Sequence, residues 1–581
     1  MERLLVTTPI KNTWGTSEPI LFLGTWCIDK STSISRDSVT CEPFAIKSEK
    51  KREDFKFIIK AEKKLLTQLI NKLNLVHNIS YSNRQWNILL GHWIHRFVSV
   101  SFNRYFSISE ALERYKVNAT KKINLDSYDF STKDSLSFVL ACDDDLWNHF
   151  FYLKVLDFLD FKNIENVDIR IQTKLSFFYS NVKLGKFSNL RRFLQEKLSS
   201  IFTKDNDSFL IGTYLPKKVE FLLHHELGQA PQKWSHQDVS DVQTNFKLRE
   251  NFLDDSGYES FEKFLRKIIG DFLPRVFLEN FKIYHQKIAY LSWPRNPKFI
   301  FTSNNYDFDE VFKFWVADKI TTNVPYYIGQ HGSGYGTHRY FQTLNSPEVA
   351  CSDSFISWGF INSSKKIKPA FVFTNSDSSY SHKKNGGLLL ILASPLHRFC
   401  HWDNYYEFQF YINKQFELLK CLSPMIFNQT LLRLHPEHLN FSPNTIKDFQ
   451  LEMPRLNIEP GALKIKKLIS KSRLVIHAYD SAGLLETLSS NIPTLAFFAD
   501  GYDHLLPKAI QNYKALEEAG IIYLSPKLLS QKIETIWDQI DEWWESKYVQ
   551  DAKNNFCSHY ACNALSPAKE LKNLLLTNEY L

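Results

Sequence analysis

Apolar and polar positions fall into blocks along the chain, and the blocks change period. Residues 4–8 and 20–26 are short, β-rich apolar runs and predict strands. From about 56 to 108 apolar residues recur every three or four positions, the spacing of a helix with one buried face. Between about 136 and 290 the pattern turns aromatic and helical. Trp147, Phe150, Phe151, Val155, Phe158 and Leu159 lie three and four apart, a stripe read as core and not as a cofactor box. Strand and helix then alternate: strand 299–302, helix 309–319, strands 325–329 and 354–358. The polar stretch 367–387, carrying Asn375, Ser376, Asp377, Lys383, Lys384 and Asn385, reads as a linker. After it come strands 388–393, 430–434, 473–478 and 494–498, with helices 405–422 and 483–489.

Alternation of this kind predicts parallel sheets covered by helices, which bind ligands at the carboxyl ends of their strands. The expected fold class is α/β, with two Rossmann-like α/β/α domains facing across a cleft. The first spans 1–375, with a mostly helical insertion at about 136–290; the second spans 376–581.

A chain of 581 residues has length for at least two domains. With 44% hydrophobic and 23% charged residues, and only 19 Gly and 21 Pro, it is neither disordered nor fibrous. The strongest apolar run, 388–393, is strand-sized and far short of the roughly 20 residues of a membrane helix. The opening MERLLVTT reads as a strand and not a signal peptide, so the cytoplasm is the expected compartment. A net charge of +8 is a mild bias over this length, which argues against a nucleic-acid binder. The basic runs 50–52 and 464–467 read as solvated faces; their sharper alternative is peripheral docking on anionic lipid at the inner face of the membrane. Eight cysteines without a CxxC pair signal neither a disulfide framework nor a zinc ribbon.

The most informative segment is SRLVIHAYDSAGLLETLSSNIPTLAFF, residues 472–498: strand, small-residue turn, helix, strand. At Asp480, Ser481, Ala482 and Gly483 backbone amides can approach a phosphate, and the helix start favours negative charge. Ser481 is the expected hydroxyl donor there, and Glu486, one turn in, the expected acceptor from ribose hydroxyls. The alternative is an ordinary N-cap and a surface glutamate. Upstream, LLRLHPEHL sets Arg433, His435, Glu437 and His438 at a strand's end, where Pro436 stops the strand and turns His435 toward the crevice. His435 can hydrogen-bond or protonate a leaving phosphate, whereas the pair with His438 lacks the spacing and third ligand of a metal site. Ser394, His397 and Arg398 open on the same edge, as anion contacts or as a plain turn.

In YYIGQHGSGYG, Gln330, His331, Gly332, Gly334, Tyr335 and Gly336 follow a buried strand, and three glycines in five residues demand a tight or close-approaching backbone. His331 is the candidate general base or oxyanion ligand there, with Gln330 beside it in the catalytic set and Glu348 and Asp353 as orienting carboxylates. One competing signal, Asp143, Asp144 and Asp145 after an apolar run, has the look of a metal-binding Asp-x-Asp. The aromatic helix that follows favours an N-cap instead. No Walker loop, GxSxG or HExxH occurs, and no metal is expected.

Several segments carry a resemblance: TTPIKNTWGTSEPILFLGTWC, IFTSNNYDFDEVFKFWVADK, YYIGQHGSGYG, SDSFISWGF, RLHPEHL, YDSAGLLETLSSNIPTLAFF, EEAGIIYL and DEWWES. Together they resemble a bacterial family of surface-carbohydrate biosynthesis transferases, over nearly the whole chain. The chain is also similar, more weakly, to GT-B glycosyltransferases that use CMP-activated 3-deoxy-ulosonic sugars, the sialyltransferases and capsule Kdo transferases. In those an HP motif contacts the nucleotide and a Ser-rich turn holds its phosphate; His435 and Pro436 match the first, Ser481 part of the second. The sialyltransferase acidic motif before a glycine is not evident. The QHG element also looks like one in capsule Kdo transferases and teichoic-acid glycerophosphotransferases. The resemblance implies a GT-B-like fold and cofactor-free, metal-independent transfer from a nucleotide-sugar donor to a glycan or lipid-linked acceptor, the donor on the second domain and the acceptor on the first. The alternatives are a CDP-alcohol phosphotransferase and a non-catalytic assembly or binding protein of a glycan pathway.

Overall fold

A computed structural model describes residues 2–15, 18–28, 36–43, 47–125, 127–168, 195–341, 345–377, 380–394, 406–436, 438 and 443–577. The chain divides into two compact units: Met1–Leu184 with Gln237–Tyr290 and Leu396–Gln409, and Gly185–His236 with Leu291–Pro395 and Phe410–Leu581. Among the described residues no helix is long and apolar enough to cross a membrane.

The first unit holds a parallel sheet of β1 (Arg3–Val6), β2 (Ile20–Phe22), β3 (Val39–Thr40), β4 (Val117–Ile123) and β5 (Ile164–Val167), in the order β3-β2-β1-β4-β5. Helices Ser48–His77 and Asn83–Arg114 follow β3. The second starts in a capping box, Ser82 accepting from Gln85 N while the Gln85 side chain accepts from Ser82 N. The aromatic stripe is core: Trp147, Phe150, Phe151 and Val155 are buried, Phe158 and Leu159 half-buried. Trp147 and Phe151 pack on Phe272 at 5.4 and 4.7 Å between ring centroids. The apolar run before the three aspartates is a helix, Ser135–Ala141. Asp144 caps the next helix, Asp145–Phe158, by accepting from Trp147 N at 2.7 Å.

The second unit holds two parallel sheets. One contains β6 (Phe209–Leu210), β7 (Ile300–Thr302), β8 (Tyr326–Gly329), β9 (Ser354–Ser357) and β10 (Ile367–Pro369) in sequential order. The other contains β11 (Gly387–Ile391), β12 (Thr430–Arg433), β13 (Asn457–Glu459), β14 (Ser472–His477), β15 (Thr494–Phe497) and β16 (Ile522–Tyr523), in the order β13-β12-β11-β14-β15-β16. Its winding reverses between β11 and β14, where Ile391 lies beside His477. A reversal of this kind opens a crevice at the strands' carboxyl ends. One apolar core joins the two sheets, with Phe301, Trp358 and Phe373 in the same cluster as Leu484, Leu488 and Phe556.

The parallel α/β class is as the pattern predicts, but the described residues build three sheets where the pattern foresees two. The difference lies in strands the pattern cannot announce. β4 carries the polar sequence VNATKKI, and β3, β6 and β16 are two residues each. Within 136–290 the described residues form helices but also β5 and β6, and the start of the expected linker, Ile367–Pro369, is β10, paired with β9.

Candidate functional site

The chemistry-bearing residues of the second unit collect at the carboxyl ends of its two sheets. β8 is buried throughout and delivers Gln330 and His331 to its end. Gln330 is itself buried; its Oε1 accepts from Trp358 N at 2.8 Å and its Nε2 donates to Gly332 O at 2.7 Å. Both ends of the amide thus brace the loop, so Gln330, one of the catalytic set of His331, Gln330 and His435 that the sequence suggests, makes the contacts of a positioning residue. Gly334 and Gly336 have φ of +92° and +75°, and a Cβ there would meet Phe341 at 2.9 Å and Phe360 at 2.5 Å, so both turns require glycine. At Gly332 a Cβ would meet nothing within 4 Å.

His331 is half-buried, and its Nδ1 lies 3.0 Å from the Tyr306 hydroxyl and 3.3 Å from the Tyr335 hydroxyl. Tyr335 donates in turn to Glu348 Oε1 at 2.8 Å. Burial pushes the Glu348 carboxyl up and lifts both tyrosines well above their ordinary range, the nearby Glu348 charge adding to the latter. A histidine fixed at Nδ1 by hydroxyls backed by a buried carboxylate is oriented to act through Nε2. Glu348 therefore orients His331 through Tyr335. Asp353 does not; its Oδ2 accepts from Tyr326 N at 2.8 Å, at the other end of β8. Tyr306, in the motif SNNYDFDE, is the partner that residue reading missed, since nothing in the spacing of a lone tyrosine marks it.

On the third sheet, Arg433 is buried at the end of β12, its Nε 3.7 Å from Glu459 Oε2 and without a hydrogen-bond partner. Burial lowers its pKa, which Glu459 partly restores. Glu459 accepts from Gly461, Ala462 and Leu463 N at 3.0, 2.7 and 2.9 Å, which sets the loop that packs against His435 and Pro436. His435 is half-buried and Pro436 exposed, while His438 is buried with Nε2 3.0 Å from Ala393 O. Ser394 lies three residues past β11, across the winding reversal from Asp480 and Ser481; Arg398, His397 and Glu437 fall outside the described residues.

At the turn after β14 Ser481 is the helix N-cap that the sequence offers as one alternative. Ser481 is buried, caps helix Ala482–Ser489 by accepting from Leu484 N at 3.1 Å, and lies 3.2 Å from His477 Nδ1. Burial holds His477 neutral, its pKa pushed down to about 3. A Cβ on Gly483 would stand 2.8 Å from His477 Cε1, so the small residue here makes room for a histidine. Both Glu486 oxygens are engaged, accepting from Thr374 Oγ1 at 2.5 Å and Tyr380 OH at 2.7 Å, so Glu486 holds the segment between the sheets. Asp480 Oδ2 accepts from Tyr513 OH at 2.8 Å and lies 3.3 Å from His504 Nε2, whereas its buried Oδ1 has no partner.

The two loop systems meet directly. Ser333 Oγ donates to Asp480 O at 3.2 Å, Arg339 Nε to Asp503 O at 3.2 Å, and Leu506 N to Thr337 O at 2.7 Å. Thus the structure brings the QHG loop to the turn after β14. It does not bring Glu486 to an open edge. Among the described residues no three His, Cys, Asp or Glu side chains are grouped to hold a metal ion.

Three solved structures illustrate what the chain is similar to. Acinetobacter baumannii MurG is 15% identical over 64% of this chain and 90% of its own, with a TM-score of 0.28. Staphylococcus aureus MnaA with UDP is 13% identical over 78% and 93%, TM-score 0.32. WaaG, a glycosyltransferase involved in lipopolysaccharide biosynthesis, is 12% identical over 52% and 95%, TM-score 0.27. At such TM-scores these likenesses carry no argument about the site. No curated protein sequence matches the chain. The LIC12162 family transferases match residues 3–575, nearly the whole length, and the chain belongs to that family.

Proposed function

We propose that this transferase is a glycosyltransferase, with His331 as the general base that takes the proton from an acceptor hydroxyl. The observation that carries the reading is His331 itself. It sits at a buried strand's carboxyl end, held at Nδ1 by Tyr306 and by Tyr335 backed with Glu348, on a loop bonded to the turn after β14. Gln330, Gly332 and Gly334 shape the loop and Tyr335 and Glu348 orient the ring. The first domain, 1–375, is the acceptor side and the second, 376–581, the donor side.

The nucleotide lies at the winding reversal of the third sheet, near Ser394, Asp480 and the start of helix Ala482–Ser489, with Arg433, His435 and Pro436 at its phosphate; Arg398 remains a donor-binding residue on sequence grounds alone. Arg433, with the His435 ring as a hydrogen-bonding neighbour, is a modest set that suits one phosphate better than two, which favours a CMP-activated 3-deoxy-ulosonic sugar and a leaving group stabilised by position and charge. The acceptor is a bacterial surface glycan or lipid-linked glycan, reached from the cytoplasm at the inner face of the membrane.

Two measurements on one preparation test this. CMP, CDP and UDP at millimolar concentration are screened for a rise in melting temperature, and His331→Asn is compared with wild type in single-turnover transfer. The expected result is a shift with CMP above the others, and transfer reduced by about 10² to 10⁴ in the variant with that shift retained. No shift with any nucleotide refutes the donor side; near-normal transfer by the variant removes His331 as base.

A further inference from the structure

Seven described non-glycine residues have positive φ, and five of them are Asn or Asp, the types that tolerate it. A sixth is Ser260. The seventh is Tyr214, at φ +62°, four residues beyond β6. A bulky side chain in that region is strained, and strain of this kind persists only where the surroundings impose it. They do impose it here: Ser303 N donates to Gly212 O at 3.0 Å, Ser303 Oγ to Thr213 O at 3.0 Å, and Leu215 N to Thr213 Oγ1 at 3.3 Å. Gly212, at φ +54°, is fitted so closely that a Cβ would stand 2.1 Å from Asn305 Oδ1.

The tyrosine is not repaid by burial. Leu215 takes the core position, while Tyr214 is 38% exposed. Its ring instead stands edge-to-face with His331, centroids 6.0 Å apart at 68°. Tyr306 and Tyr335 flank the same histidine at 6.0 and 5.7 Å, yet both are buried. Asp307 is near enough that its charge, after burial, raises the Tyr214 pKa.

We infer that Tyr214 forms a carbohydrate subsite: the C–H face of a pyranose lies against its half-exposed ring, beside His331. This deepens the glycosyltransferase reading and rests on it, since the ring would hold an acceptor hydroxyl beside His331. An aromatic ring supplies a flat apolar surface with a polar rim, which matches the two faces of a sugar. Glycine or asparagine would take this backbone conformation without strain but would give no such surface.

The test uses the full chain and three probes, the methyl glycosides of glucose, galactose and N-acetylglucosamine, in saturation-transfer NMR with wild type, Tyr214→Gly and Tyr214→Phe. Expected is transfer to the ring protons of at least one glycoside, kept in Tyr214→Phe and reduced about fivefold or more in Tyr214→Gly, the scale of one aromatic contact. The melting temperature of Tyr214→Gly should hold or rise, because the strain is relieved. Equal transfer in wild type and Tyr214→Gly, no transfer to any glycoside by wild type, or a lowered melting temperature in Tyr214→Gly each overturns the inference. The nucleotide shift of the wild type reads the donor side alone. If that shift is present and the glycoside result negative, the subsite fails while the glycosyltransferase reading stands.

Discussion

Replacing Tyr335 with phenylalanine removes one oxygen and changes three contacts, the 2.8 Å hydrogen bond to Glu348 Oε1, the 3.3 Å approach to His331 Nδ1 and the hydrogen bond with the Tyr306 hydroxyl. The ring still packs on Phe355 and Phe341, at 4.8 and 5.2 Å, so no cavity larger than the hydroxyl opens. Glu348 is 5% exposed and cannot recruit water freely. A hydrogen bond to an ionised carboxylate is worth about 1.5–3 kcal/mol and one to a neutral group about 0.5–1.5 kcal/mol, so the cost of the substitution depends on whether Glu348 is charged. Burial raises the Glu348 pKa and the Tyr335 hydroxyl opposes that rise. A carboxyl with a raised folded-state pKa contributes stability that is complete below its unfolded value and is lost as pH rises through the folded value. Without the hydroxyl the folded value climbs further, so the variant keeps losing stability at pH values where the wild type has levelled. The gap between the two proteins therefore widens with pH, from about 1 kcal/mol in mild acid to about 2 kcal/mol above neutrality. Thermal unfolding at a series of pH values measures it, each kcal/mol moving the midpoint by about 2 °C in a unit of this size. A gap that is constant or narrows toward alkaline pH refutes the reasoning.

Glu486→Gln should loosen the segment that Thr374 and Tyr380 anchor, raising amide exchange around 374–380 while leaving nucleotide affinity within about twofold, since the carboxylate is occupied by protein groups. A selective loss of donor affinity at unchanged exchange would return Glu486 to the ribose. For His477, whose pKa burial depresses to about 3 against 6.5 in the open chain, stability is complete above the unfolded value and is lost as pH falls from there toward the folded one. His149 and His224, each pushed down to about 4, act in the same direction. His477→Asn should accordingly flatten the acid limb of the melting-temperature profile between about pH 6 and 4, and an unchanged slope would show that His477 is not buried neutral.

The sheet strands legible in the sequence were those with an apolar run to read: β7, β8, β9, β11, β12, β14 and β15 all appear within a residue or two of the expected bounds. Strands held by pairing alone, such as β13 with its sequence NIE, left no such mark, because an edge strand is defined by its neighbour's backbone and not by its own side chains. The candidate site divides along the same line. His331 was legible because a glycine-rich loop after a buried strand is a local signal. Its hydroxyl partners lie 25 residues before it and 4 after it, and Glu348 beyond both, so the cluster exists only once β7 and β8 are side by side.

At the turn after β14 the elements match the pattern, and several of the groups the sequence singles out also serve the protein itself. Strand, small residues and helix start were all where the pattern put them, and small residues do allow close approach. What approaches Gly483 is His477 from the same turn, and what Ser481 satisfies is the helix's own Leu484 N–H. Among the side-chain atoms of the turn, the buried Oδ1 of Asp480 has no hydrogen-bond partner. Its other oxygen is held by Tyr513 and His504, and its carbonyl by Ser333. Because residues 503–506 also bond Arg339 and Thr337, the QHG loop and the Asp480 turn are fastened at both ends of their contact. The loop that carries His331, the proposed base, is thus tied to the turn where the nucleotide is proposed to lie, so a displacement of either loop has to break or carry these bonds.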